Sequence, residues 1–193
     1  MPTEESGRRR SRKKPQEEEF SWKKEIISWI QIIVAAVVIA LVLNNFIIAN
    51  SRVPTGSMEN TIMSHSRVIG SRLAYLNSDP KRGDVVIFHF PDDITGKTYY
   101  VKRVIGLPGE TVTIIDGKVY INDSAEPLDE PYLKEPMEGS YGPYTVPEGC
   151  YFMLGDNRNN SLDARFWDNQ FVEKDKIIAK VLFSYYPKIG KVE

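Results

Sequence analysis

The chain has 193 residues, a formal net charge of −1, 41% hydrophobic residues and 26% charged ones. That balance fits a globular domain with an anchor rather than a disordered protein, and near-neutral charge gives no reason to expect nucleic acid as a partner. Cys150 is the one cysteine, and His65 and His89 are the only histidines, so an intrachain disulfide and a cysteine-based metal cage are excluded, and neither a metal nor a cofactor is expected.

Residues 1–25 are polar and charged: Arg8-Arg9-Arg10, Arg12, Lys13 and Lys14 precede Glu17-Glu18-Glu19. Such a segment buries too little apolar surface to offset its ordering entropy, and it reads as a mobile tail. A basic run also suits nucleic acid, but the long apolar run next to it favours a topology signal that touches anionic lipid. No charged residue occurs from Ile26 to Ser51. The run exceeds the roughly 20 residues needed to cross a bilayer, and residues 26–50 are predicted to form a transmembrane helix. It is apolar on all faces, which argues against a buried soluble helix. It is too long for a cleavable signal, and Ile47-Ile48-Ala49 lacks the small-x-small cleavage pattern. Trp22 and Trp29 suit the headgroup level near its start. Lys23 and Lys24 join the tail's basic residues on that side, whereas Arg52 alone closely flanks the other. The positive-inside bias therefore predicts a cytoplasmic N-terminus, a single-pass protein of the plasma membrane and an extracytoplasmic domain over residues 51–193.

That domain is predicted to be mainly β, a barrel-like or sandwich arrangement of short strands. Strands are expected at residues 67–72, 84–90, 98–105, 111–115, 118–121, 150–154 and 177–186. Asp116-Gly117 is a strong hairpin signal between two of them. Residues 122–147 are rich in proline and acids and read as a long surface excursion. Phe166 and Trp167 read as core residues, with a dip into lipid as the alternative. Cys150 reads as a buried strand residue, and the two histidines as surface or strand polar groups.

Three places could carry chemistry. Ser57 lies in Val53-Pro54-Thr55-Gly56-Ser57-Met58, just past the apolar run. A serine hydroxyl becomes a nucleophile only when a base takes its proton. Lys102 is the candidate base. It sits in Tyr99-Tyr100-Val101-Lys102-Arg103-Val104-Ile105, where alternation places Lys102 and Arg103 on opposite faces of a strand. Desolvation among apolar side chains would lower its pKa from about 10.4 toward neutrality. Taken alone, it reads better as a strand lysine that snorkels to water. The third place is Gly155-Asp156-Asn157-Arg158-Asn159-Asn160-Ser161-Leu162-Asp163-Ala164-Arg165. It is either an ordinary polar loop or a support in which Asp156 neutralises Arg103, Asp163 pairs with Arg165 and Ser161 bonds the Lys102 amine.

In this order and behind an anchor, the Gly56-Ser57-Met58 box, the Gly83-Asp84-Val85-Val86 strand, the run from Lys102 through Arg103-Val104-Ile105-Gly106-Leu107-Pro108-Gly109-Glu110, and the box from Gly155 to Arg165 resemble the bacterial type I signal peptidases. These are membrane-anchored serine proteases of the Ser/Lys type. The single span and compact domain resemble the Gram-positive form of the family. The resemblance implies Ser57 as nucleophile, Lys102 as general base and Ser161 as the hydroxyl that orients the lysine. It implies oxyanion donation by Thr55 and the Ser57 N–H, and a supporting ionic network of Asp156, Arg103, Asp163 and Arg165. The family box commonly reads Ser-Met-x-Pro-Thr, and here Asn60 replaces its proline. Ala164 stands where a serine or arginine is frequent. Val53, Pro54, Met58, Ile62, Tyr100 and Val101 lie beside the reacting groups in sequence and are expected to line shallow pockets for small side chains. The implied partners are signal-peptide-bearing preproteins and the lipid bilayer, with no nucleic acid, and the chain is expected to be a monomer. Two rivals share parts of the pattern: a self-cleaving Ser/Lys repressor, which would need a DNA-binding domain where this chain has a span, and an anchored β domain that is a scaffold and not an enzyme.

Overall fold

The computed structural model describes residues 22–192, so most of the tail predicted over 1–25 lies outside the described residues. Helix α1 (Trp22–Val42) is followed by a π-helical turn, Leu43–Ile47, and the chain then enters strand β1 (Ile48–Val53). The helical stretch Trp22–Ile47 is long and apolar enough to cross a membrane. It begins before residue 26 and ends before residue 50, because Ile48–Val53 alternates in burial, with Ala49 and Val53 inward. A period of two satisfies the backbone by pairing with a neighbouring strand, which a helix end cannot do.

The remaining strands are β2 (Ser66–Ser71), β3 (Val85–His89), β4 (Tyr99–Gly106), β5 (Thr111–Ile115), β6 (Lys118–Ile121), β7 (Tyr141–Thr145), β8 (Cys150–Leu154), β9 (Phe171–Glu173), β10 (Ile177–Tyr186) and β11 (Gly190–Lys191). The larger sheet has the order β1-β2-β10-β3-β4-β8-β9, with β11 added to β10, and the smaller has the order β6-β5-β7. All pairings are antiparallel. The domain is therefore mainly β, as its sequence predicts.

β3 and β4 are covered on both faces, which explains their near-continuous apolar sequence. Val86, Phe88 and Val104 face one core cluster with Phe152, Leu154 and Trp167. Val85, Ile87 and Val101 face a second, with Val53, Met58, Ile62 and Val181. Each such fully buried apolar side chain contributes roughly 1.5–3 kcal/mol. At the β5–β6 hairpin, Asp116 and Gly117 both take positive φ, 47° and 77°, as a primed turn requires.

β7 was not legible in the sequence. Its Gly142-Pro143 argues against a strand, but β7 is an edge strand of the smaller sheet, where proline is tolerated. The excursion over residues 122–147 is thus not all surface: it contains β7 and sends Met137 and Val146 into the first core cluster. Trp167 is buried in that cluster, while Phe166 is exposed. Cys150 is half-buried on β8.

Candidate active site

β1 ends at Val53, and the chain turns immediately through Pro54–Ser57. Hydrogen bonds from Glu59 N–H to Gly56 O (3.1 Å) and from Ile62 N–H to Met58 O (2.8 Å) shape the segment from Gly56 to Ile62. Met58 and Ile62 are driven fully into the second core cluster. The turn is therefore nailed down by its apolar residues, and Ser57 is held at its rim beside the Thr55 hydroxyl (Oγ–Oγ 3.3 Å).

β4 supplies the two cations. Lys102 lies opposite Val86 and Arg103 opposite Val85 across the β3 pairing. Ser57 and Ser161 are each 8% exposed and Lys102 3%. Lys102 Nζ donates to Ser161 Oγ at 2.9 Å. Burial pushes the Lys102 amine down from its ordinary value to about 8; Asp163 and Asp156 pull back upward and Arg165 pushes further down. Desolvation wins because no carboxylate bonds the amine directly: both Asp163 oxygens are taken by Arg165, Nε to Oδ1 at 2.8 Å and an Nη to Oδ2 at 2.9 Å.

Arg103 has the opposite surroundings. Its guanidinium donates to both oxygens of Asp156 (2.8 and 2.7 Å) and to Gly83 O (2.7 Å), and stacks over the Tyr132 ring at 3.8 Å. Thr61 Oγ1 also donates to Asp156.

The loop after β8 joins these parts. Asn157 donates from its side-chain amide to Gly56 O (3.0 Å) and from its backbone to Ser57 O (3.0 Å). Gly155 N–H donates to Asp163 (3.0 Å). At Gly155 a Cβ would lie 2.1 Å from Ser161 Oγ and 2.5 Å from Ser57 O, so only glycine lets the loop approach both. One buried pair escaped sequence reasoning: Arg158 donates to both oxygens of Glu130 (2.5 and 3.0 Å) and to Gly155 O (2.9 Å). Glu130 and Tyr132 belong to the excursion, where one acid among many carries no signal.

Ser57 and Lys102 line one open groove of about 330 Å³. Of the residues expected to form its pockets, Val53, Pro54, Tyr100 and Val101 do line it. Met58 and Ile62 do not; they are core residues, because the turn points them away from the groove. Arg52, Tyr99, Asn160 and Leu162 also line it. Only Leu162, an apolar residue between Ser161 and Asp163 in a polar loop, could have been picked out in advance. Among the described residues no cluster of three or more His, Cys, Asp or Glu side chains is placed to hold a metal ion.

The family model for signal peptidase, peptidase S26, matches residues 26–186. The chain belongs to this peptidase S26 family. A probable signal peptidase I-2 from Synechocystis is 35% identical over 188 residues, covering 96% of this chain and 83% of that protein. Signal peptidase I S from Bacillus subtilis is 38% identical over 181 residues, covering 88% of this chain and 94% of its own. A solved signal peptidase I from Enterococcus faecalis is 34% identical and covers 53% of this chain and 97% of that one, with a TM-score of 0.44. For a peptidase S26 member, a serine and a buried amine lining one groove are the groups whose chemistry must be explained.

Proposed function

We propose that this chain is a membrane-anchored serine endopeptidase that removes N-terminal signal peptides from exported preproteins, with Ser57 as nucleophile and neutral Lys102 as general base. The observation that carries this reading is an amine with a depressed pKa, without a bonded carboxylate, in the same groove as a serine held at the rim of a fixed turn. Ser57 Oγ attacks the scissile carbonyl carbon, its proton passes to Lys102 Nζ, and the carbonyl π pair moves to oxygen. The Ser57 N–H and Thr55 O–H stabilise that oxyanion, an effect worth on the order of 3 kcal/mol per donor. Collapse expels the new amino terminus, which takes the proton from the Lys102 ammonium. Water then attacks the acyl-enzyme, gives its proton to Lys102, and the proton returns to Ser57. Ser161 aims the amine throughout, and the Arg103–Asp156 and Asp163–Arg165 pairs hold the strand and loop that carry it.

The substrate binds extended. β1 is an edge of the larger sheet, and β8 begins to pair with β4 only at Arg103, so backbone groups at residues 99–101 on that side are open for strand addition. Pro54, Val53, Tyr100 and Val101 give the groove shallow apolar walls suited to small side chains before the cut. The apolar helix spans the bilayer with the N-terminus in the cytoplasm and residues 51–193 outside. Anchoring enzyme and signal peptide in one plane raises their effective concentration.

The test is incubation of the detergent-solubilised full chain with a signal-bearing preprotein, beside Ser57→Ala and Lys102→Ala. Correctly shortened product forms with the wild type, and rates fall by about 10²–10⁴-fold or more in both variants. Full cleavage by Lys102→Ala would overturn the assignment of the base; full function of Ser57→Ala would favour a scaffold.

A further inference from the structure

We propose, on the reading of Ser57 as nucleophile, that Asn157 is a positioning residue that aims the Ser57 N–H into the groove as an oxyanion donor. An asparagine in a turn ordinarily bonds backbone two residues on. Asn157 reaches instead across 101 positions of sequence, where its side-chain amide donates to Gly56 O at 3.0 Å. Its own N–H donates to Ser57 O, also at 3.0 Å. Both peptide planes flanking the Ser57 Cα are thus held by one residue, itself only 7% exposed.

The direction comes from covalent geometry. In a trans peptide unit the C=O and N–H point opposite ways. The Gly56–Ser57 bond is not among the cis bonds of the described chain. Clamping Gly56 O, which also accepts from Glu59 N–H at 3.1 Å, therefore fixes the Ser57 N–H on the far side of the plane. Among the described residues that N–H has no protein acceptor. A donor pre-set in this way costs no reorganisation when charge develops on the carbonyl oxygen. Neighbouring groups leave the clamp little play. The approach of Gly155 to Ser57 O and Ser161 Oγ has no room for a Cβ, and Asp156 is fixed by Arg103 through two hydrogen bonds.

Loss of the clamp has a signature that a general loosening of the loop does not. It weakens transition-state binding while the Lys102 amine, whose own partner is the Ser161 hydroxyl and not Asn157, keeps its titration. The experiment uses the full chain in detergent with Asn157→Ala and the similarly sized Asn157→Leu, which cannot donate to Gly56 O and adds no charge near Lys102. A peptide aldehyde ending in alanine serves as probe: Ser57 Oγ bonds to its carbonyl carbon, the Ser57 proton passes to Lys102 Nζ, the π pair moves to oxygen, and that oxygen sits where the oxyanion forms. The expected result is a kcat lower by roughly 10–100-fold, KM within about 2-fold, an unmoved pH midpoint of kcat, and aldehyde affinity falling in parallel with kcat/KM. An unchanged aldehyde affinity, or a kcat loss that comes with a moved pH midpoint, would overturn it. If Asn157→Ala does not fold, Asn157→Leu decides by the same readings. Cleavage by Ser57→Ala would sink the nucleophile itself, a result these variants cannot mimic.

Discussion

Lys102 and Arg103 are chain neighbours on β4, both cationic by composition and both buried, yet the two sides of the strand treat them differently. On Arg103's side a carboxylate, a carbonyl and an aromatic ring surround the guanidinium, and Asp156 bonds it through both oxygens. On Lys102's side the bonded partner is a neutral hydroxyl, and Asp163, the acid that pulls most strongly on the amine, is occupied by Arg165. An arginine keeps its proton whatever its surroundings, so its burial must be compensated. A lysine can yield its proton, so it can be buried without compensation and become a base. The difference shows that a buried cation is structural or chemical according to where the carboxylates go.

The sharpest way to break the structural side is to remove one partner. Arg103→Met strands the Asp156 carboxylate and is expected to destabilise the domain by about 3–5 kcal/mol. Replacing both, Arg103→Met with Asp156→Leu, should recover much of that loss. Chemical denaturation of the single and double variants reads the difference. Equal destabilisation by both would show that shape, not charge, matters there.

On the chemical side the sign is reversed. The folded chain holds the Lys102 proton less tightly than the unfolded chain does, about 8 against 10.5. The unfolded state therefore binds more protons between those values, and stability rises with pH across that window. Below pH 8 the full cost applies, about 3 kcal/mol at about 1.4 kcal/mol per pH unit. Lys102→Met should thus abolish cleavage yet raise stability at pH 7 by up to about 3 kcal/mol, a gain that shrinks above pH 8 and is gone above 10.5. Melting curves across pH test it. With Lys102 as the proposed base, kcat of the wild type is expected to climb with pH and level off above a midpoint near 8, which initial rates on a signal-bearing peptide would show.

The smallest expected effect comes from a pair that resembles Arg103–Asp156 only on paper. Lys174 and Asp79 approach to 2.5 Å, but their side chains are 48% and 72% exposed. Lys174→Ala should cost no more than about 0.5 kcal/mol and leave activity unchanged. A larger loss would mean that burial is not what separates the pairs.

Much of the fold was readable from sequence where a signal is local. Alternation and turn residues placed β3, β5, β6, β8 and β10, and Asp116-Gly117 marked its hairpin. β1 was hidden because its apolar residues continue the spanning run without a break. β7 was hidden because Gly142-Pro143 opposes a strand until an edge position makes it tolerable. At the site, Ser57, Lys102 and Ser161 could be named from their motifs. Met58 and Ile62 were assigned to pockets because they neighbour Ser57 in the chain, but nearness in sequence does not say which way a turn points its side chains. Glu130 could not be chosen from the acids around it, since its role depends on meeting Arg158.

By itself, the sequence determined the apolar helix and the β character of the domain and singled out the residues proposed to react, because periodicity, turn chemistry and residue type act over a few neighbouring positions. Tertiary structure alone decided that Lys102 lacks a bonded carboxylate, that Asn157 grips the backbone on either side of Ser57, and which side chains face the groove. Those outcomes depend on burial and on contacts between distant segments, and a free energy of desolvation or of a clamped peptide plane exists only once those segments have been brought together.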